Sequence, residues 1–178
     1  GDYHVHTAYC GHAKGRTIEY VEQAIEKGLD EIGFADHLGR YYLSAEQHAR
    51  YWNWGMTDEK LRRYFDEMDE LKALFAGTIT IRVGLEADFV EGADELLARA
   101  IDGLPLDFLI GSVHCLPRFG WHHLTRYTHQ SAEELYHEYF RCAEAAAESG
   151  VFDALGHLDF VWRYVPWPQH LTGELLDR

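Results

Sequence analysis

Apolar and polar positions along this chain alternate between a helical and an extended period, and the alternation lays out a fold. Residues 17–27 (TIEYVEQAIEK) place Ile18, Val21, Ala24 and Ile25 at helical spacing, with Thr17 as N-cap and Gly28 as the C-terminal stop. Residues 31–35 (EIGFA) read as a short apolar strand that delivers Asp36 and His37 at its C-terminal end. An amphipathic helix is predicted over 58–75, with Leu61, Tyr64, Phe65, Met68, Leu71, Leu74 and Phe75 on one side. A β-branched, alternating strand over 78–86 follows and ends in Glu86. Further on come a short helix (93–101), a buried strand (108–113) ending in His114, a helix whose Ser131 and Glu134 form a capping box, and a strand (152–156) leading to His157 and Asp159.

At the N-terminus, Asp2-Tyr3-His4-Val5-His6 is extended in pattern, so His4 and His6 share one face while Val5 turns to the other. Strand and helix alternate with connections long enough for crossovers, the signature of a parallel sheet. Two aromatic-rich stretches interrupt the alternation. Residues 38–56 carry Tyr41, Tyr42, Tyr51, Trp52 and Trp54, and residues 117–128 read PRFGWHHLTRYT; loops of this length inside compact domains are usually functional.

Composition narrows the function classes. With 178 residues, 47% of them hydrophobic, the chain is expected to fold as a single domain over 1–178. Its 16 basic and 30 acidic side chains give a formal charge of -14, which repels a phosphate backbone and argues against binding long nucleic acid. No apolar run reaches bilayer length, and Cys10, Cys115 and Cys142 form no CxxC pair, so a cytoplasmic protein with reduced thiols and no membrane partner is expected. Twelve histidines exceed what packing usually uses and are candidates for metal ligation.

Their placement carries the chemistry. His4 and His6, His37, Glu86, His114 and His157 all stand at, or just past, the C-terminal ends of predicted parallel strands, and in a β/α barrel those ends converge on one face. His12 follows the first strand after a short turn. The segments His-Val-His (4–6), Cys-Gly-His-Ala (10–13), Ala-Asp-His (35–37), Gly-Leu-Glu (84–86), Gly-Ser-Val-His (111–114) and Gly-His-Leu-Asp (156–159) occur in an order that resembles the PHP (polymerase and histidinol phosphatase) superfamily of metal-dependent phosphoesterases. Gly-Leu-Glu-Ala-Asp and a Gly-His-Leu-Asp followed by Arg163-Tyr164 look most like its histidinol-phosphatase branch.

The resemblance implies a distorted (β/α)7 barrel holding two or three divalent ions (Zn, Mn or Fe). By family pattern His4, His6 and Glu86 hold one, Glu86, His114 and His157 a second, and His12 with His37 a third. It implies hydrolysis of a small phosphorylated substrate, most like L-histidinol phosphate in histidine biosynthesis, with Glu86, His114 and His157 acting through a metal-activated hydroxide. Closely spaced cations supply such a nucleophile near neutral pH, and no GxSxG-type motif offers another. The alternatives are a superfamily phosphoesterase acting on nucleotides or phosphotyrosine, or a non-catalytic metal-binding domain. Arg163 and Arg118 are candidates for the substrate phosphate, since guanidinium makes bidentate contacts to its oxygens. Lys14 and Arg16 are weaker candidates, and His122, His123 and His129 read as loop residues. Asp36 and Asp159, each close to a metal-capable histidine, are candidates to orient an imidazole or to assist the leaving group.

The family's late Asp-x-His has no counterpart after His157. Either the 178 residues end before the last strands of the barrel, or the site is degenerate; barrel size favours the first. On that expectation the first and third ions each lack a ligand, and activity of this chain alone is weak or absent.

Overall fold

The computed structural model describes residues 1–39, 41–44, 46, 55–120, 123–127 and 129–168. Tyr51, Trp52, Trp54 and His122, singled out above, lie outside the described residues. Five strands, β1 (Asp2–Val5), β2 (Glu31–His37), β3 (Thr80–Asp88), β4 (Phe108–Ser112) and β5 (Ala154–Leu155), form one sheet in sequential order, and every neighbouring pair is parallel. The helices between them are α1 (Thr17–Glu26), α2 (Asp58–Leu74), α3 (Asp94–Ile101) and α4 (Ala132–Glu148).

Alternation along the strands sorts the residues by face. Ile32 and Phe34, then Ile81, Val83, Leu85 and Ala87, then Leu109 pack with Val21 and Ala24 of α1, Tyr64, Phe65, Met68 and Leu71 of α2 and Leu97 of α3 in the main core. A second core joins Val113 beyond β4 to Leu135, Tyr136, Tyr139, Cys142 and Ala146 of α4. The alternate residues His37, Glu86, Asp88 and Ser112 therefore point away from the helices, and the register sets His37 beside Glu86 and Asp88 beside Ser112.

The sheet is strongly curled. Laid flat, β1 and β5 would stand about 19 Å apart, four spacings of about 4.8 Å. Instead, a Cβ placed on Gly156 would stand 2.9 Å from Cε1 of His4 and 2.6 Å from Oγ of Ser112. The five strands thus make a half-barrel curled enough for the His4 ring of β1 to reach Gly156 just past β5, where a Cβ would crowd it. Deeper in the concave face, Gly84 pairs with Phe108, and a Cβ there would stand 2.5 Å from the Phe108 ring.

Some element ends differ from those predicted, for identifiable reasons. Thr17 does not cap α1: the N-cap is Arg16, whose N–H donates to Glu19 Oε2 at 3.0 Å, while the Thr17 hydroxyl donates to Glu67 of α2. β3 runs two residues past Glu86, because its ladder with β4 continues to the Asp88–Ser112 pair. β5 keeps only two residues, since backbone pairing with β4 extends over two positions. The capping box of Ser131 and Glu134 forms as expected.

Tyr64 ties α2 to the sheet. Its side chain is fully buried, and its hydroxyl lies 3.0 Å from the carbonyl of Phe34 and 2.9 Å from that of Gly84, one on each of the strands that carry His37 and Glu86. Tyr64→Phe removes this donor and leaves the carbonyls buried without it, so chemical denaturation should show a loss of about 1–3 kcal/mol.

Candidate metal centre

Glu86 is the hub of the concave face. It is 1% exposed, and its two carboxylate oxygens are approached by five imidazoles. Around Oε2 stand His4 Nε2 at 3.2 Å, His6 Nε2 at 3.3 Å and His37 Nδ1 at 3.1 Å. Around Oε1 stand His157 Nε2 at 2.9 Å and His114 Nε2 at 3.3 Å, and those two nitrogens are 3.3 Å from each other. Val5 packs against the helix side, as alternation requires, leaving His4 and His6 to turn inward together.

His12 stands at the rim, its ring 4.5 Å from that of His37 and 5.9 Å from that of His6. All seven residues assigned to metal by the resemblance are therefore gathered on one face. Among the described residues the mutually close trios include His114, Glu86 and His157; His4, Glu86 and His157; His6, His37 and Glu86; and His6, Cys10 and His12.

Two residues stood in the quoted motifs without a role in the site. Cys10, set aside for lack of a CxxC partner, is buried with Sγ 3.5 Å from His6 Nδ1 and 3.8 Å from His12 Nδ1. Asp88, part of a quoted motif but given no role, is buried with Oδ1 2.6 Å from His114 Nδ1. A carboxylate two residues after Glu86 on an alternating strand was the available signal, because it must share the face of Glu86.

The other candidates are spread more widely. Asp36 is fully buried and accepts the backbone N–H of Thr7 at 2.8 Å and the Thr7 hydroxyl, with His6 Nδ1 at 3.7 Å, so it chiefly fixes the turn that follows β1. Arg163 lies over the Tyr164 ring and shares with His157 and Asp159 a cleft of about 510 Å³. Arg118 makes its ion pair with Glu138 at 3.3 Å, and none of its described contacts reaches the imidazole cluster. Arg16 pairs with Glu19. His123, read as a loop residue, packs its ring among those of His114, Phe160 and Tyr164.

The chemistry of this set fits divalent cations. Oε2 of Glu86 is buried and makes no hydrogen bond of acceptable geometry, although three ring nitrogens lie 3.1–3.3 Å away. Atoms about 2.0–2.1 Å from a tetrahedral zinc lie about 3.3–3.4 Å from one another, so the spacing suits lone pairs converging on an ion. His157 is held with φ +25°, the left-handed region that costs a non-glycine residue on the order of 1–3 kcal/mol, and its carbonyl accepts from the Tyr139 hydroxyl.

Charge follows the same pattern. Burial opposes ionisation of Glu86, but the surrounding imidazoles of His114, His157, His4 and His6 outweigh it and hold the carboxyl well below its usual range. Burial likewise opposes charge on His6 and His114, yet the acceptors around them prevail: Asp36, Cys10 and Glu86 push His6 up to about 11, and Asp88 and Glu86 push His114 up to about 9. Burial dominates at His37 and pushes it down to about 3.

A model of the PHP domain matches residues 2–174. This chain belongs to the PHP domain family. A protein from Deinococcus radiodurans named as a probable histidinol-phosphatase is 37% identical over 163 residues, 89% of this chain and 60% of that protein. The histidinol-phosphatase of Lactococcus lactis is 30% identical over 168 residues, 93% of this chain and 59% of the relative. This PHP domain thus spans about 60% of the length of these relatives. The crystal structure of histidinol phosphate phosphatase from Lactococcus lactis, complexed with zinc, L-histidinol and phosphate, matches it with a TM-score of 0.79 at 26% identity, over 99% of this chain and 65% of that one. A structure from Listeria monocytogenes, 20% identical with a TM-score of 0.79 over 99% of this chain and 74% of that one, shares the fold.

A zinc ion held here would have to displace the protons that His6 and His114 hold in the metal-free protein, since only neutral imidazole is a ligand. Zinc affinity should therefore rise from pH 6.5 to 8.5, by about tenfold per pH unit for each proton displaced, with proton release visible to an indicator dye. Competition titrations against a chelator check this, and a pH-independent affinity would contradict it.

Proposed function

We propose that this PHP domain is the metal-binding, catalytic part of a phosphomonoesterase whose substrate is L-histidinol phosphate. The observation that carries the reading is the buried Glu86 carboxylate ringed by five imidazoles at 2.9–3.3 Å. The similarity to the Lactococcus enzyme complexed with zinc, L-histidinol and phosphate supports the substrate. The half-barrel is read as part of a distorted (β/α)7 barrel, and the domain as one unit over 1–178. Among the described residues no helix is long and apolar enough to cross a membrane, which suits the cytoplasmic setting of a biosynthetic enzyme.

His4, His6, His12, His37, Glu86, His114 and His157 would hold two or three divalent ions. When bound, such ions supply Lewis acidity that activates water near neutral pH and neutralises phosphoryl charge. The chain's own part is to bind and orient. Arg163, in the cleft beside His157, is placed to take phosphate oxygens through its guanidinium fork. Arg118 was the second candidate for that task, but its pairing with Glu138 favours Arg163. Asp159, in the same cleft, is a candidate to deliver a proton to the departing alcohol. The acidic formal charge of -14 suits a small substrate drawn to a local cationic centre rather than a polyanion drawn to a basic groove.

Phosphate release from L-histidinol phosphate should exceed that from nucleoside monophosphates and phosphotyrosine when the full-length, zinc-loaded protein is assayed with each. No preference for histidinol phosphate would overturn the substrate assignment. In the full-length protein Glu86→Ala should lower the rate by about 10³-fold or more, because several kcal/mol of metal-dependent stabilisation is lost with the shared carboxylate. Retained turnover in that variant would overturn the metal reading.

A further inference from the structure

We propose that Tyr42 and Asp88 are positioning residues for His114, and that through them the segment following β2 sets how firmly the second ion position is held. The inference rests on the metal reading above and adds to it two residues that no motif assigns. Asp88 Oδ1 stands 2.6 Å from His114 Nδ1, and the Tyr42 hydroxyl donates to Asp88 Oδ2 at 2.6 Å. Both carboxylate oxygens thus have a partner, which marks Asp88 as an acceptor for neighbouring side chains rather than a ligand. A carboxylate at Nδ1 requires that nitrogen to carry a proton, so in the neutral imidazole it is the Nε2 lone pair that faces Glu86 Oε1 and His157 Nε2, each 3.3 Å away. An acceptor behind a metal-binding imidazole fixes its tautomer and ring plane and raises its basicity.

Tyr42 extends this chain of contacts beyond the strand end. The neighbouring Tyr41 hydroxyl donates to the backbone carbonyl of Asp88 at 2.7 Å, so two consecutive tyrosines grip one residue by its side chain and its main chain. Tyr42 and Leu43 also bury themselves against Val90 and Ala93 in a small apolar cluster separate from the main core. At the start of the same segment, the Leu38 N–H donates to the Glu86 carbonyl at 2.9 Å. The chain after His37 is therefore seated on the chain after Glu86 by three hydrogen bonds and an apolar patch. One of those bonds ends on the acceptor that aims His114, so loosening the seat loosens the imidazole.

Zinc dissociation constants for wild type, Tyr42→Phe, Asp88→Asn and the double variant, measured by chelator competition, test the idea, with circular dichroism of each metal-free protein to verify folding. Asp88→Asn should weaken zinc binding by about 10–100-fold. Tyr42→Phe should weaken it less, and the double variant should match Asp88→Asn alone, because tyrosine acts through the aspartate. Wild-type affinity in Asp88→Asn, or a Tyr42→Phe effect that persists undiminished in the Asp88→Asn background, would overturn the proposal. A wild-type protein that bound no zinc would sink the metal reading instead. The metal-free protein then decides: the His114 Nδ1 proton resonance shifts in Tyr42→Phe if the relay exists, and an unmoved resonance overturns it.

Discussion

A carboxylate buried at 1% exposure among five imidazoles is the constraint on which this structure depends. An ionised group taken out of water costs several kcal/mol unless paired, and Glu86 is paired only because four separate strand ends deliver nitrogens to it. β1 brings His4 and His6, β2 His37, β4 His114 and β5 His157, while Glu86 itself stands in the central strand β3. Without cations, protons on His6 and His114 compensate the carboxylates, which is why both are held above the usual imidazole range. In the proposed metal reading the same nitrogens would become ligands, and the site would be balanced between two kinds of positive charge.

Convergence of that kind needs a curled sheet, and the curl depends on small residues. Gly84 lets the Phe108 ring lie against the floor of the concave face, and Gly156 lets β5 close upon His4 and Ser112. The helices act from behind: α2, through Tyr64, bonds to carbonyls of both β2 and β3, fixing the relative height of His37 and Glu86. Packing and chemistry are separated by the simple alternation of side chains along each strand. Leu85 and Ala87 belong to the core, and Glu86 and Asp88 to the site.

That alternation is also why so much was legible in the sequence. The strand of residues 31–37, the helix of 58–74 and the capped helix after Ser131 announce themselves by period and end signals that depend on local chemistry alone. Each strand then ends in a metal-capable side chain, and parallel order brings those ends together. What stayed hidden depends on contacts between distant segments. Thr17 has the look of a cap, but Glu67 of α2 takes its hydroxyl. Cys10 carries no pairing motif, and only the turn after β1 brings its sulfur between His6 and His12. How closely the imidazoles crowd around Glu86 depends on the curvature of the sheet, which no spacing along the chain encodes.

The central claim is that Glu86 is a shared ligand rather than an ion-pair acceptor for protonated histidines. Anomalous diffraction from crystals of the zinc-loaded protein, collected on either side of the zinc absorption edge, tests it most directly. The account predicts at least two anomalous peaks flanking Glu86, one within coordination distance of each carboxylate oxygen, with His4, His6 and His37 on the Oε2 side and His114 and His157 on the Oε1 side. Zinc found away from Glu86, with the carboxylate still hydrogen-bonded to imidazoles, would contradict it.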